Sequence, residues 1–133
     1  EVFSYGHLPL AYSARCFTSR YLDLPKDDCR FSCINYPEGL EVKSREQQRL
    51  FNINGTQTQS ASVYNLLSQV EGMQAIGVDV VRISPRENSS VEMIDRFKRA
   101  INGDRQDIAL SDSDCNGYWY GKPGMDLLSK AVL

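Results

Sequence analysis

Residues 61–83 read ASVYNLLSQVEGMQAIGVDVVRI, and this stretch carries the strongest pattern for the fold. From Val63 onward its apolar side chains recur at helical spacing, which predicts a helix over residues 61–76. Gly77 follows, and glycine commonly ends a helix because it readily adopts a left-handed backbone. Residues 78–83 are apolar and rich in β-branched side chains, so they predict a buried strand.

A second helix is predicted downstream of this strand. Ser89 or Ser90 can cap it, and Gly103 ends it. Its predicted buried face consists of Val91, Ile94, Phe97 and Ile101. Upstream of residues 61–83, the polar side chains of residues 55–60 predict a link without regular structure. Strands and helices that alternate with short links are typical of parallel β/α units.

The N-terminal half carries weaker patterns. Residues 1–5 alternate between apolar and polar side chains and predict a short strand that ends at the following glycine. Residues 10–22 can form a helix, and residues 24–37 are irregular. The runs 40–44 and 49–53 are strand-like and are joined by a polar turn, which predicts a β-hairpin.

Composition and charge limit the class of protein. The chain has 133 residues, which fits a single domain able to bury a core. Its formal net charge is −2 and it has no block of Lys or Arg, so neither nucleic acid nor an anionic membrane surface is indicated. No apolar run is long enough to span a bilayer, and no signal peptide is visible, which predicts a cytoplasmic protein. Because the chain opens inside a strand-like run, we expect it to be part of a longer protein.

Three of the four cysteines form a spaced group. Twelve residues separate Cys16 from Cys29, three more separate Cys29 from Cys33, and Cys115 follows much later. Thiolates are soft ligands that suit iron–sulfur clusters and zinc. Cys29 and Cys33 lie in a polar, proline-bracketed loop where core packing does not call for cysteine. The spacing therefore favours a metal or cluster site, although it does not separate iron from zinc and leaves structural thiols and disulfides open.

The residues around these cysteines resemble the family of collagenase-like peptidases, and within it the members that act in ubiquinone biosynthesis. The resemblance covers nearly the whole chain, and its C-x12-C-x3-C element is specific. The matching runs are residues 8–18, residues 25–29 with Cys33, and residues 54–60, 80–85 and 115–119.

What this resemblance implies is a protein with a 4Fe–4S cluster held by Cys16, Cys29 and Cys33. It also implies a role in oxygen-independent hydroxylation, with a ubiquinone precursor as the substrate and a UbiU-like protein as the partner in a heterodimer. The family's fourth cluster cysteine lies near the N-terminus of the full protein, in a region absent from this sequence. Cys115 is the only other thiol here, and the family's pattern does not make it a ligand.

These patterns and the resemblance together predict an α/β fold. Specifically, we expect residues 1–133 to form a single domain that is the C-terminal part of a parallel, TIM-like β/α barrel with an inserted β-hairpin. Active sites of such barrels collect at the C-terminal ends of the strands. We therefore expect the sulfur atoms of Cys16, Cys29 and Cys33 to converge at one end of the parallel strands.

Two other function classes stay open at this point, namely a peptidase or other hydrolase and a zinc-stapled structural module. The sequence has no G-x-S-x-G or H-E-x-x-H motif, and His7, its only histidine, is more consistent with a surface or hydrogen-bonded residue than with a catalytic one. Gln57, Gln59 and Arg82 lie near predicted strand ends, where they could contact a ligand or only pair locally. Residues 118–120, which are Tyr-Trp-Tyr, could line a pocket for an aromatic or prenylated ring but are better explained as a cover over the end of the barrel.

Overall fold

A computed structural model of the chain describes residues 1–25, 27–86, 89–104 and 109–128. Within these ranges the strands are β1 (Val2–Tyr12), β2 (Leu40–Lys43), β3 (Arg49–Asn54), β4 (Gln57–Asn65), β5 (Val81–Ile83) and β6 (Asp114–Cys115). The α-helices are α1 (Phe17–Tyr21), α2 (Val70–Ala75) and α3 (Ser90–Ile101). Short 3₁₀ turns occupy Ser32–Asn35, Leu67–Gln69 and Gly117–Tyr120. None of the described helices is long and apolar enough to cross a membrane.

The six strands form a mixed sheet, so the predicted parallel β/α barrel is wrong. The strand order is β2-β3-β4-β1-β5, with β6 beside β4. β1 pairs with β5 and β4 pairs with β6 in parallel, whereas β2–β3 and β3–β4 are antiparallel pairs. The physical reason is that the hairpin is not an insertion between β/α units. It continues directly into β4, and antiparallel strands need only short turns where parallel strands need a long crossover.

One compact unit spans His7–Ala61 and is built on this antiparallel meander. The hairpin predicted at residues 40–44 and 49–53 is confirmed by β2 and β3. Two other predictions in this unit are wrong. The helix predicted over residues 10–22 is reduced to α1, and the polar link predicted over residues 55–60 is largely part of β4. Gln and Ser are weak strand formers, and pairing with β3 is what makes this stretch a strand.

The second compact unit comprises Glu1–Gly6 and the chain from Ser62 onward. Its core cluster joins strands and helices, and its members are Tyr5, Val63, Leu67, Val70, Met93 and Phe97. The helix stop predicted at Gly77 is confirmed, because α2 ends at Ala75 and the Gly77 N–H donates to the Gln74 carbonyl oxygen at 3.1 Å. The helix predicted over residues 61–76 starts too early, since β4 runs to Asn65.

The predicted second helix is present as α3. The buried strand predicted at residues 78–83 is reduced to β5, whose three residues are half-buried or exposed. The buried face of α3 differs from the prediction, however. Phe97 is buried as expected, but Val91, Ile94 and Ile101 are 76%, 39% and 42% exposed. Met93 is the second buried residue of the helix. The prediction that the whole chain is one domain of a larger protein remains a prediction.

Candidate metal centre

The three spaced cysteines lie in the His7–Ala61 unit. Cys16 is the residue that precedes α1, and Cys33 lies in the 3₁₀ turn Ser32–Asn35. Cys29 lies in the loop between these two elements. α1 is in contact with the 3₁₀ turn and with β3. The fold therefore brings the chain segments that carry Cys16 and Cys33 against each other.

The segment around Cys16 is fixed to the turn that joins β3 and β4. The N–H of Ser13 donates to the Thr56 carbonyl oxygen at 2.8 Å, and the N–H of Phe17 donates to the Gly55 carbonyl oxygen at 2.8 Å. These two bonds hold the backbone on either side of Cys16. The position of this thiol is therefore set by the hairpin as well as by α1.

The loop that carries Cys29 and Cys33 has an unusual backbone. Arg30 and Phe31 have φ angles of 51° and 50°, in the left-handed region where side chains other than glycine cost roughly 1–2 kcal/mol per residue. The Cys29 carbonyl oxygen accepts hydrogen bonds from the Ser32 N–H at 3.1 Å and from the Ser32 hydroxyl at 2.8 Å. Backbone strain of this kind persists where surrounding contacts enforce it, and it is common at functional sites.

All four cysteines are free thiols. Cys16 and Cys29 are half-buried and Cys33 is exposed. Cys16, Cys29 and Cys33 suit an iron–sulfur cluster in their chemistry, because cluster ligands are thiolates. Their partial or full exposure also leaves the sulfur atoms open to a metal. Within the part of the chain that the structure describes, no group of three His, Cys, Asp or Glu side chains is arranged to hold a metal ion. The predicted convergence of the three sulfur atoms is thus not seen in these residues, and the ligand assignment remains a prediction.

Cys115 occupies a different environment. It lies in β6, where it pairs with Tyr64 of β4, and only 1% of its surface is exposed. Burial, followed by the charge of neighbouring Asp114, raises the pKa of the Cys115 thiol to about 11. Because the thiolate is the form that binds metals, this environment makes Cys115 a structural thiol.

We expect alkylation to separate this thiol from the others. In metal-free protein at about pH 8, iodoacetamide should label Cys16, Cys29 and Cys33 within minutes, while Cys115 should stay unlabelled because it is buried and protonated below its raised pKa. Mass spectrometry of the digested protein measures each site. Unfolding in urea should expose all four. Equal labelling rates in the folded protein would contradict the buried placement of Cys115.

Side-chain amides form a hydrogen-bonded chain across the meander of the same unit. The Asn52 Nδ2 donates to the Glu38 carbonyl oxygen at 2.8 Å and to the Gln59 Oε1 at 3.1 Å. The Gln59 Nε2 donates to the Gln57 Oε1 at 2.8 Å, and the Gln57 Nε2 donates to the Tyr12 Oη at 3.2 Å. The sequence drew attention to Gln57 and Gln59, but Asn52 and Tyr12 were missed. The cross-strand register of Asn52 opposite Gln59 is the signal that links them.

The other side chains singled out in the sequence have local partners. The His7 Nδ1 donates to the Ser60 carbonyl oxygen at 2.7 Å. Arg82 lies 5.5 Å from the centre of the Phe3 ring and pairs with Glu1 at 3.3 Å. These contacts stabilise the sheet and define no further site.

The C-terminal segment that contains the Tyr-Trp-Tyr run is held by backbone and amide contacts. The Asn116 side chain donates to the Leu128 carbonyl oxygen at 2.8 Å and accepts from the Leu128 N–H at 2.7 Å. The Tyr120 hydroxyl accepts a hydrogen bond from the Gln69 side chain at 2.8 Å. Tyr120 therefore contacts the 3₁₀ turn Leu67–Gln69, whereas Tyr118 is 60% exposed. The predicted cover over a barrel end is wrong, because the described strands form a mixed sheet and not a barrel.

Comparison with known protein families matches residues 1–113 to peptidase family U32. The match includes Cys16, Cys29 and Cys33 and ends before Cys115. No solved structure matches the chain at a significant level.

Proposed function

The chain belongs to peptidase family U32, and from this premise we propose that it is part of a 4Fe–4S protein similar to the ubiquinone-biosynthesis protein UbiV. Such a protein would act with a UbiU-like partner, as a heterodimer, in the oxygen-independent hydroxylation of a ubiquinone precursor. The observation that carries the proposal is the C-x12-C-x3-C group of free, accessible thiols on contacting segments of one unit.

In this proposal Cys16, Cys29 and Cys33 supply three thiolate ligands. Clusters of this type are usually held by four cysteines, and the family resemblance implies that the fourth lies near the N-terminus of the full protein. Cys115 does not suit that role, because the raised pKa of its thiol disfavours the thiolate that a cluster requires. When bound, the cluster would supply electron transfer.

Peptidase chemistry receives no support from the site itself. The one histidine donates to a backbone carbonyl oxygen, that of Ser60, and hydrolase motifs with a serine nucleophile or paired zinc histidines are absent from the sequence. Membership of the family therefore does not carry peptidase activity over to this chain.

Metal analysis of the full-length protein, purified without oxygen, tests the proposal. We expect a brown protein with visible absorbance, and iron and acid-labile sulfide in nearly equal amounts, because thiolate-held iron–sulfur clusters are coloured and zinc sites are not. Zinc without sulfide would instead identify a structural zinc module. A colourless protein without either metal after reconstitution with iron and sulfide would reject the cluster.

A further inference from the structure

Three asparagines of this chain, Asn54, Asn102 and Asn116, are each followed directly by a glycine. Asparagine is chemically labile in this position, because the backbone nitrogen of the glycine can attack the side-chain amide carbon. Glycine permits the attack, since it has no side chain to hinder ring closure. The glycine N–H must first lose its proton, so a hydrogen bond on that N–H slows the reaction as it slows amide hydrogen exchange. The structure therefore ranks the three sites by the partners of their glycine N–H groups.

The site at Asn116 is protected most strongly. The Gly117 N–H donates to the Asp126 carbonyl oxygen at 2.9 Å. The Asn116 side chain is fully buried, and both its NH₂ group and its oxygen are bonded to the Leu128 backbone. Neither the attacking nitrogen nor the amide carbon can therefore react until this segment opens.

The site at Asn102 is protected by the end of α3. The Gly103 N–H donates to the Ala100 carbonyl oxygen at 3.1 Å, although Asn102 itself is exposed. Access of solvent to the side chain is therefore not enough for reaction here, because the last turn of the helix must open as well.

The site at Asn54 lacks this protection. Asn54 ends β3, and Gly55 begins the turn to β4. Within the part of the chain that the structure describes, no acceptor holds the Gly55 N–H or the Asn54 side-chain amide. A Cβ on Gly55 would have no atom within 4 Å, so open space surrounds this glycine. The Asn54 backbone is held by its pairing with Gln57, which is the last pair of the β3–β4 ladder, and the ends of elements open most easily.

We propose that Asn54 is a self-modification site that deamidates in the folded protein. The Gly55 nitrogen loses its proton to solvent and forms a bond to the Asn54 Cγ. The bond from Cγ to Nδ2 breaks, and Nδ2 takes up a proton from solvent and leaves as ammonia, so that a cyclic imide joins the two residues. One water molecule then opens the imide at either of its carbonyl carbons and yields aspartate or isoaspartate. The net reaction consumes one water and releases one ammonia, and it needs no oxidant or cofactor.

The product affects Cys16, because the same turn holds the chain on both sides of it. The Gly55 carbonyl oxygen accepts from the Phe17 N–H, and the Thr56 carbonyl oxygen accepts from the Ser13 N–H, each at 2.8 Å. Isoaspartate carries the main chain through its Cβ, so it adds one carbon to the backbone directly before these two carbonyl groups. The modification thus loosens the attachment of the Cys16 segment to the turn. This effect goes beyond the proposed function and does not depend on a bound cluster.

Incubation of the full-length protein in mildly alkaline buffer tests the ranking. Mass spectrometry of the digested protein measures each site, since deamidation adds about 1 Da. We expect Asn54 to react about 10-fold faster than Asn102, whose reaction must also break a backbone hydrogen bond, and Asn116 to react most slowly. Peptides obtained by digestion before the incubation should react at all three sites alike, because they have lost these hydrogen bonds.

Hydrogen exchange tests the effect on the Cys16 segment. Ion-exchange chromatography separates the deamidated fraction by its added negative charge. In that fraction we expect the Ser13 and Phe17 N–H groups to exchange about 10-fold faster than in fresh protein, the effect of losing one hydrogen bond each. Asn54→Gln is the control, because a glutamine at this position would have to close a larger ring and does so far more slowly. After the same incubation, this variant should exchange at Ser13 and Phe17 as it did before.

Equal rates at Asn54 and Asn116 in the folded protein would overturn the inference, as would a faster reaction at Asn102. The same ranking in the free peptides would overturn it as well, because the sequence and not the fold would then set the rates. Exchange at Ser13 and Phe17 that is unchanged in the deamidated fraction would reject the effect on the Cys16 segment.

Discussion

Replacing Cys29 or Cys33 with alanine in the full-length protein is expected to remove most of the iron that it holds after anaerobic purification. Each substitution opens one coordination position of a cluster that this chain would hold through three thiolates. Cys33 is exposed and Cys29 is half-buried, so neither side chain is part of the core whose loss would unfold the protein. Iron and sulfide content per protein, together with the visible spectrum, measures the effect.

Cys115→Ala is the matched control for this experiment. It also removes a thiol, but one that is buried in β6 and protonated because its pKa is raised to about 11. We expect this variant to keep nearly all of its iron, although a lost core contact can lower its stability by about 1 kcal/mol. Iron at the wild-type level in both Cys29→Ala and Cys33→Ala would contradict the ligand assignment. A loss of iron in Cys115→Ala equal to the loss of iron in Cys29→Ala would make Cys115 the fourth ligand.

Local patterns predicted the elements of this chain better than their arrangement. The hairpin and α3 follow from alternation and helical spacing within a few residues, and these predictions are confirmed. β5 is present only as the last three residues of its predicted run. The barrel was wrong because it depended on residues 55–65 being a link and a helix start. In that stretch, residues 57–60 pair with β3 and residues 63–64 pair with β6. Pairing between strands is not visible in the propensities of one strand alone.

The candidate sites also divide into one that local sequence predicts and one that depends on the arrangement of the strands. The cysteine group could be found by spacing, since the three thiols are close in sequence. The amide chain to Tyr12 could not be found in this way. It joins residues 12, 52, 57 and 59, and their contacts depend on the register of β3 with β4 and on the end of a strand that was expected to stop at Gly6. Side-chain networks across strands become predictable only once the register is known.

Gly117 lies at a close backbone approach in the C-terminal segment. Its N–H and that of Asn116 both donate to the Asp126 carbonyl oxygen at 2.9 Å, and its own carbonyl oxygen accepts from the Lys122 N–H at 2.9 Å. A Cβ on this residue would overlap the Pro123 carbonyl oxygen and fall 2.8 Å from its carbon. These neighbours are backbone atoms, so they can move away only if the loop of residues 117–126 opens.

Gly117→Ala is therefore expected to destabilise the protein by about 3 kcal/mol, at the upper end of the usual cost of overfilling a packed site. Urea unfolding measures this as a lower midpoint. Two glycines with no atom within 4 Å of their added Cβ provide controls. Gly121→Ala, at φ +65°, should cost only about 1–2 kcal/mol for the left-handed backbone, and Gly72→Ala, inside α2, should stabilise by about 0.5–1 kcal/mol. A midpoint for Gly117→Ala equal to that of the wild type would show that Pro123 does not lie against Gly117 in solution.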